Sequence, residues 1–388
     1  MPIMEQGYQH WSGRVSGHSW RWLAITRHGV GIQMRNRFLR YVLFAAWSPA
    51  LLLVGMLSIW GLLERKSNLV AAFVEFMRFM NPTVIADPRY YRVEIWRLSY
   101  GYFMHVELFF SMILILLVGP GLISQDLRVN ALPLYFSRPL RRVDYFLGKL
   151  GVISFFLGMV TILPTCIAYF CGLLFSLNLH VAVQTFGILI GALLYGLIIC
   201  LSAGTLMLAL SALSRNSRYV ALFWLGLWFV TSVISSVLEG VHHEEIRHAY
   251  FYNRPRPPAL ISAALPPGAG TEPGGRITPG FPHHGIVNGR QYWRNFQRQR
   301  LRDSQTDWRP MVSYTANILR IGSHLLGTNQ AWEKLATLEP DKWRRRRMLM
   351  RYAGLRYPWY WSVGVLAGLF GLSICVLKWS IRSLDRLK

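Results

Sequence analysis

Long apolar runs separated by short polar connections dominate the chain. A helix that crosses a membrane needs about 20 predominantly apolar residues, and five segments meet this: 41–63, 102–123, 150–177, 186–213 and 219–238. A sixth, 359–377, follows a long polar stretch. Aromatic residues gather at several of the ends, among them Trp60, Tyr100, Tyr102, Tyr219, Trp359 and Trp379, where amphipathic rings sit at headgroup level. The pattern predicts an all-α membrane protein of six transmembrane helices, with an N-terminal interfacial helix and a long loop between helices 5 and 6. It divides the chain into an N-terminal segment (1–40), five helices (41–240), the loop (241–357), and the last helix with its tail (358–388).

Between the spans the pattern is weaker. Residues 20–40 can be drawn as a helix with Trp20, Leu23, Val30, Met34 and Phe38 along one stripe, interrupted by Arg27. That predicts an amphipathic helix on the membrane surface. Residues 69–80 are apolar but too short to span. The long loop opens with a Pro/Gly-rich stretch, 253–289, whose composition resists regular structure, and 311–326 and 331–338 have modest helical character. Pro49 in helix 1 and Pro164 in helix 3 predict kinks, while Gly187-xxx-Gly191 and Gly364-xxx-Gly368 permit close helix approach.

Composition sharpens the class. Of 388 residues, 53% are hydrophobic and 15% charged, against about 25% charged in an ordinary soluble domain. A disordered chain, a disulfide-stapled module and a soluble enzyme all fit poorly. Lys+Arg 42 against Asp+Glu 18 gives +24, a balance that raises nucleic acid as a partner. Positive residues also collect at the cytoplasmic ends of membrane helices and on anionic lipid headgroups. With the N-terminus inside, the short cytoplasmic segments hold 17 Lys/Arg and the connection between helices 1 and 2 holds 6. That places both termini in the cytoplasm of a multi-pass inner-membrane protein. Scattered over both faces and without a binding module, the charge does not predict nucleic-acid binding. The loop 241–357 carries 19 Lys/Arg against 8 Asp/Glu. It is placed outside, because a seventh crossing over 311–327 would have to bury Arg320 and His324. The first forty residues lack a short apolar core and cleavage site, so helix 1 is expected to act as an uncleaved anchor.

Candidate chemistry is sparse. Cys166, Cys171, Cys200 and Cys375 lie in apolar runs and read as packing residues. His242-His243-Glu244-Glu245…His248 fails the HExxH zinc pattern, because the last histidine falls one position late. Gly148-Lys149 has Val143 and Leu150 where a phosphate-binding loop needs Gly and Ser/Thr, so no ATPase site, cofactor site, metal site or catalytic residue is expected in this chain. His105 and Glu107, near the outer end of helix 2, are candidates for a substrate path, since ionisable groups inside a span are costly. Two apart, they point to different helix faces. In the connection 124–149, apolar residues mix with charges of both signs. Ser137 before Pro139 is a plausible helix start. On physical grounds this is a docking surface or a well-anchored loop.

The run Asp126…Leu134-Tyr-Phe-Ser-Arg-Pro-Leu-Arg-Arg-Val-Asp-Tyr-Phe-Leu-Gly-Lys149 resembles the cytoplasmic loop of ABC-2 type ABC-transporter permeases. That family shows an acidic residue, a Leu-rich turn, a Ser-Arg-Pro-like element and a Gly-Lys opening the third helix. The specific part covers about 25 residues, and the six-helix layout and basic N-terminal segment fit as well. This chain departs at Asn130-Ala131, where many members have Gly-Thr, and at Pro133, which should kink the helix. The resemblance implies a permease subunit that is not itself an enzyme, paired with a second permease subunit in a bed of membrane lipids. ATP and Mg would bind a separate ATPase subunit, with export the expected direction. It also implies that Asp126, Arg128, Arg138, Pro139, Arg141, Arg142, Asp144 and Lys149 form the coupling surface for that ATPase. The alternative, from another class, is a membrane-anchored scaffold or enzyme acting through the loop 241–357.

Overall fold

The computed structural model describes residues 20–80, 82–132, 135, 140–176, 179–252, 307–339, 341, 344, 345, 349 and 357–385. Among them every regular element is helical, and six helices are long and apolar enough to cross a membrane: span 1 (Arg37–Glu64), span 2 (Arg92–Arg128), span 3 (Arg142–Ser176), span 4 (His180–Leu213), span 5 (Ser217–Val241) and span 6 (Trp359–Ser380). The chain is a multi-pass α-helical membrane protein.

Several spans run past the apolar windows, and the reason is visible at their ends. Span 2 begins at Arg92 rather than near Tyr102 because its first-turn charges find partners. Arg92 donates to Glu64 of span 1 through Nε at 2.7 Å and through Nη2, and to Gln184 of span 4 through Nη1 at 3.1 Å. Glu94 accepts from Lys334 at 2.8 Å. A charge so paired does not force the helix to stop at the hydrocarbon boundary.

Both expected proline kinks coincide with helix breaks. Span 1 is interrupted at Trp47, two residues before Pro49. Span 3 is interrupted at Thr161 (φ −102°, ψ −58°), three residues before Pro164, whose missing N–H leaves the Val160 carbonyl without its helical donor. The hydroxyls of Thr161 and Thr165 bond back to the Leu157 and Thr161 carbonyls at 2.8 and 2.6 Å. Span 5 carries a π-helical turn over Gly226–Val230.

Span 4 is the hub, packed against spans 2, 3 and 6. It runs beside span 2 in the same direction. Gln184 meets Arg92 near one end. Near the other, the Ser211 hydroxyl accepts from the Ile123 and Ser124 N–H groups at 3.1 and 3.0 Å and donates to the Pro120 carbonyl at 2.9 Å. Buried polar side chains here are satisfied by backbone, as low dielectric demands. The two ends of the bundle are therefore an Arg92 end and a 124–149 end.

An N-terminal helix, Arg21–Gln33, lies across the start of span 3. Thr26 Oγ1 donates to the Gly148 carbonyl at 3.0 Å. The approach depends on missing side chains: a Cβ on Gly148 would stand 2.7 Å from Ile25 Cβ, and one on Gly151 would meet the Thr26 hydroxyl.

Part of the loop between spans 5 and 6 packs into the bundle. Its helix Tyr314–Leu326 packs against spans 2, 4 and 6. The Tyr314 hydroxyl is 3.1 Å from Ser202 Oγ, and a Cβ on Gly191 would sit 2.6 Å from the Leu325 carbonyl. The helix thus runs antiparallel to span 4 from about residue 202 back to 191. At 1.5 Å per residue Tyr314 is about 17 Å from the Leu213 end, close to mid-bundle. At 13 residues this helix is too short to cross a membrane. Arg320, which weighed against a crossing, is accommodated in place: its Nε donates to the Tyr357 carbonyl at 2.5 Å and its guanidinium lies 5.5 Å from the Tyr357 ring centroid. The next helix, Thr328–Ala336, caps span 2 at the Arg92 end through Lys334 and through Arg97, which donates to Gln330 at 3.3 Å.

Candidate functional sites

At the 124–149 end, Asp126 closes span 2 and Lys149 lies two turns into span 3. The fold brings them together: Lys149 Nζ is 2.7 Å from Asp126 Oδ2. The same oxygen accepts from the Tyr145 hydroxyl at 2.6 Å, and the Lys149 ammonium lies 5.4 Å from the Tyr145 ring centroid. Tyr145 is fully buried and was not singled out in the sequence. Its signal is the four-residue spacing to Lys149, which puts both on one helix face. Tyr135 leans on Tyr145 with ring centroids 5.6 Å apart. Burial, with the Asp126 carboxylate adding to it, pushes the Tyr135 hydroxyl above its ordinary value.

The turn leaving span 2 needs a residue that tolerates positive φ. Asn130 sits in the left-handed region (φ 50°), and the Ala131 N–H donates to the Asp126 carbonyl at 2.9 Å. A helix end of this kind takes Gly or Asn, so Asn130 can do a glycine's work. Asp144 opens span 3 by accepting from the Arg141 N–H at 3.3 Å. Arg128, Arg141 and Arg142 are exposed, as are the apolar side chains of Val129 (65%) and Val143 (62%). Arg138 and Pro139, with Pro133 and Ser137, lie outside the described residues. The arrangement is mechanical: a half-buried ion pair and a tyrosine clamp tie the end of span 2 to the start of span 3, beneath a surface of arginine and valine.

Farther along span 2, about 20 Å from Arg92, His105 and Glu107 part company. His105 is exposed and lines a pocket of about 300 Å³ between span 2, Tyr195 of span 4 and the helix Tyr314–Leu326. Glu107 is fully buried on another face, and neither of its carboxyl oxygens has a hydrogen-bond partner among the described residues. A second pocket, of about 450 Å³, is lined almost wholly by carbon between spans 1 and 2. Tyr102 and Trp332, in edge-on contact at 6.5 Å, belong to both.

No group of three or more His, Cys, Asp or Glu side chains among the described residues could hold a metal ion. Cys166, Cys171, Cys200 and Cys375 are free thiols. The side chains of His242, His243, Glu244, Glu245 and His248, and the stretch 253–289 with His283 and His284, lie outside the described residues. No protein-family model matches the chain, and no curated protein matches it.

Proposed function

We propose that this chain is the membrane subunit of an ABC-2-like transporter, an exporter driven by a separate ATPase subunit that docks on 124–149. The observation that carries the reading is the permease-like pattern from Asp126 to Lys149, in a chain of six spans. Its geometry is consistent with the role. Asp126, Tyr145 and Lys149 join two spans, so a push on the exposed arginines would move spans 2 and 3 together. Coupling requires an element with two arrangements that partner and substrate both bias, and spans so tied can move as one such element. In this reading the 124–149 end faces the cytoplasm, both termini share that side, and the N-terminal helix lies along the inner leaflet. A second copy or a sister permease completes the transporter.

The test is charge reversal at the exposed positions Arg128, Arg141 and Arg142, which spares the strut beneath them. Purified from its native membrane, the unaltered protein is expected to carry a P-loop ATPase, and the triple reversal to lose it while folding normally. A preparation that never contains a nucleotide-binding subunit would overturn the proposal and favour a scaffold or enzyme working through 241–357. Deleting 253–306 would then abolish the activity.

A further inference from the structure

The N-terminal helix Arg21–Gln33 turns one face to span 3 and the other outward. Its seat is Gly148 to Val152: Thr26 bonds the Gly148 carbonyl, and Gly29 lies against Val152. The apolar window of span 3 opens at residue 150, so the helix sits at the boundary between hydrocarbon and headgroups. Its outer face carries Trp20 (68% exposed), Leu23 (45%) and Ile32 (52%) beside the exposed Arg27, His28 and Arg35. Apolar side chains at this depth suit acyl chains, and arginine heads suit phosphates.

Two observations point to an anion. The chain has no Asp or Glu between Glu5 and Glu64, and neither Arg27 nor Arg35 has a side-chain partner among the described residues. Between the two arginines stands Gly31, about one turn from each, and no described atom lies within 4 Å of where its Cβ would be. Glycine inside a helix is destabilising, and no packing contact among the described residues accounts for this one. It leaves a gap between two guanidiniums whose attachment points are about 12 Å apart along the axis. The gap lies in a hollow of about 600 Å³ that Trp20, Leu23, His28 and Ile32 also line.

We propose that this hollow binds an anionic phospholipid of the leaflet at the 124–149 end. Its phosphate lies over Gly31, between the Arg27 and Arg35 guanidiniums, and its acyl chains follow Trp20, Leu23 and Ile32. An arginine–phosphate pair is charge-assisted and can be bidentate. The opposite face of the same helix is bonded to Gly148, the residue before Lys149, so a bound lipid fastens the start of span 3 to the leaflet. The site rests on the helix lying along the membrane surface and needs no ATPase.

The test is photolabelling of the full chain in nanodiscs with phosphatidylglycerol or phosphatidylcholine carrying a diazirine near the glycerol, followed by peptide mapping. Each arginine beside an anionic surface contributes about a fivefold preference. At equal mole fraction, phosphatidylglycerol is therefore expected to label 20–38 at least about tenfold more than phosphatidylcholine, and high salt to narrow the gap. Arg27→Gln with Arg35→Gln should remove most of that selectivity. Gly31→Leu should remove it as well, although leucine favours the helix and meets no described atom. Equal labelling of 20–38 by the two lipids in the unaltered protein overturns the proposal, whether or not any variant folds. So does selectivity that survives both variants, or label that a short oligonucleotide displaces, since the ligand is then a soluble polyanion. Absence of label on 20–38 from either lipid overturns it one step earlier, at the placement of the helix on the membrane. None of these outcomes bears on whether an ATPase docks at 124–149.

Discussion

Individual buried charges settle where the spans begin. Glu64 and Arg92 are each 5% exposed and bonded to one another, and Arg92 also holds Gln184. Removing one partner leaves the other buried and alone, which costs about 3–5 kcal/mol, whereas replacing both with apolar residues is often neutral. Glu64→Leu and Arg92→Leu are therefore each expected to lower the thermal midpoint in detergent sharply, and the double variant to recover most of the loss. A double variant as unstable as the sum of the singles would show that the residues do not act as a pair. Gly327 tests backbone rather than charge. It turns the chain between the two loop helices at φ +66°, where a side chain is strained. Gly327→Ala is expected to cost about 1 kcal/mol and Gly327→Val more, read from the same melts. At this scale the sequence was partly legible. Asp126 and Lys149 stood out as charges in an apolar loop. Their pairing did not, because it spans 23 residues and depends on Tyr145, an aromatic that looked like any other.

Among the elements, apolar windows marked the six spans well, since length and composition alone decide what crosses a membrane. The non-spanning helices were harder to read. A crossing over 311–327 would have to bury Arg320 and His324, yet 311–326 has helical character. In the structure it is a helix packed against spans 2, 4 and 6, its Arg320 paired to the Tyr357 carbonyl. No local pattern encodes that partner, 37 residues away. Arg320→Met keeps volume but removes the donor. Its expected cost is about 1.5–3 kcal/mol, the range for a hydrogen bond from a charged group. Proteolysis of the loop should quicken in step, and an unchanged cleavage rate would mean that packing alone holds the helix. The N-terminal helix is predicted from its apolar stripe, yet what seats it is a contact between small residues. Gly148 and Gly151 leave room for Ile25 and Thr26, and overpacking such a contact costs about 1–3 kcal/mol. Gly151→Leu is expected to abolish a disulfide crosslink engineered between the helix and span 3, whereas the exposed Ile32→Ala should leave it intact.

At the scale of the whole molecule, the two ends differ and the fold fixes which segments share an end. An even number of spans returns the chain to the side on which it began, and the helix Tyr314–Leu326 is too short to alter the count. The described part of the long loop is fastened to the Arg92 end by Lys334 on Glu94 and Arg97 on Gln330. It therefore lies opposite the arginine-bearing surface of 124–149. On the proposed reading, the excess of positive charge in the short connections puts the 124–149 end in the cytoplasm. Single cysteines introduced into a variant lacking the native thiols, at Val143 and at the exposed Arg89, should react with an impermeant maleimide from opposite sides. Cells are expected to label at Arg89→Cys and inverted vesicles at Val143→Cys. Labelling of Val143→Cys in intact cells would reverse the orientation. The basic surface would then face away from any cytoplasmic ATPase, so this one measurement bears on topology and on coupling alike.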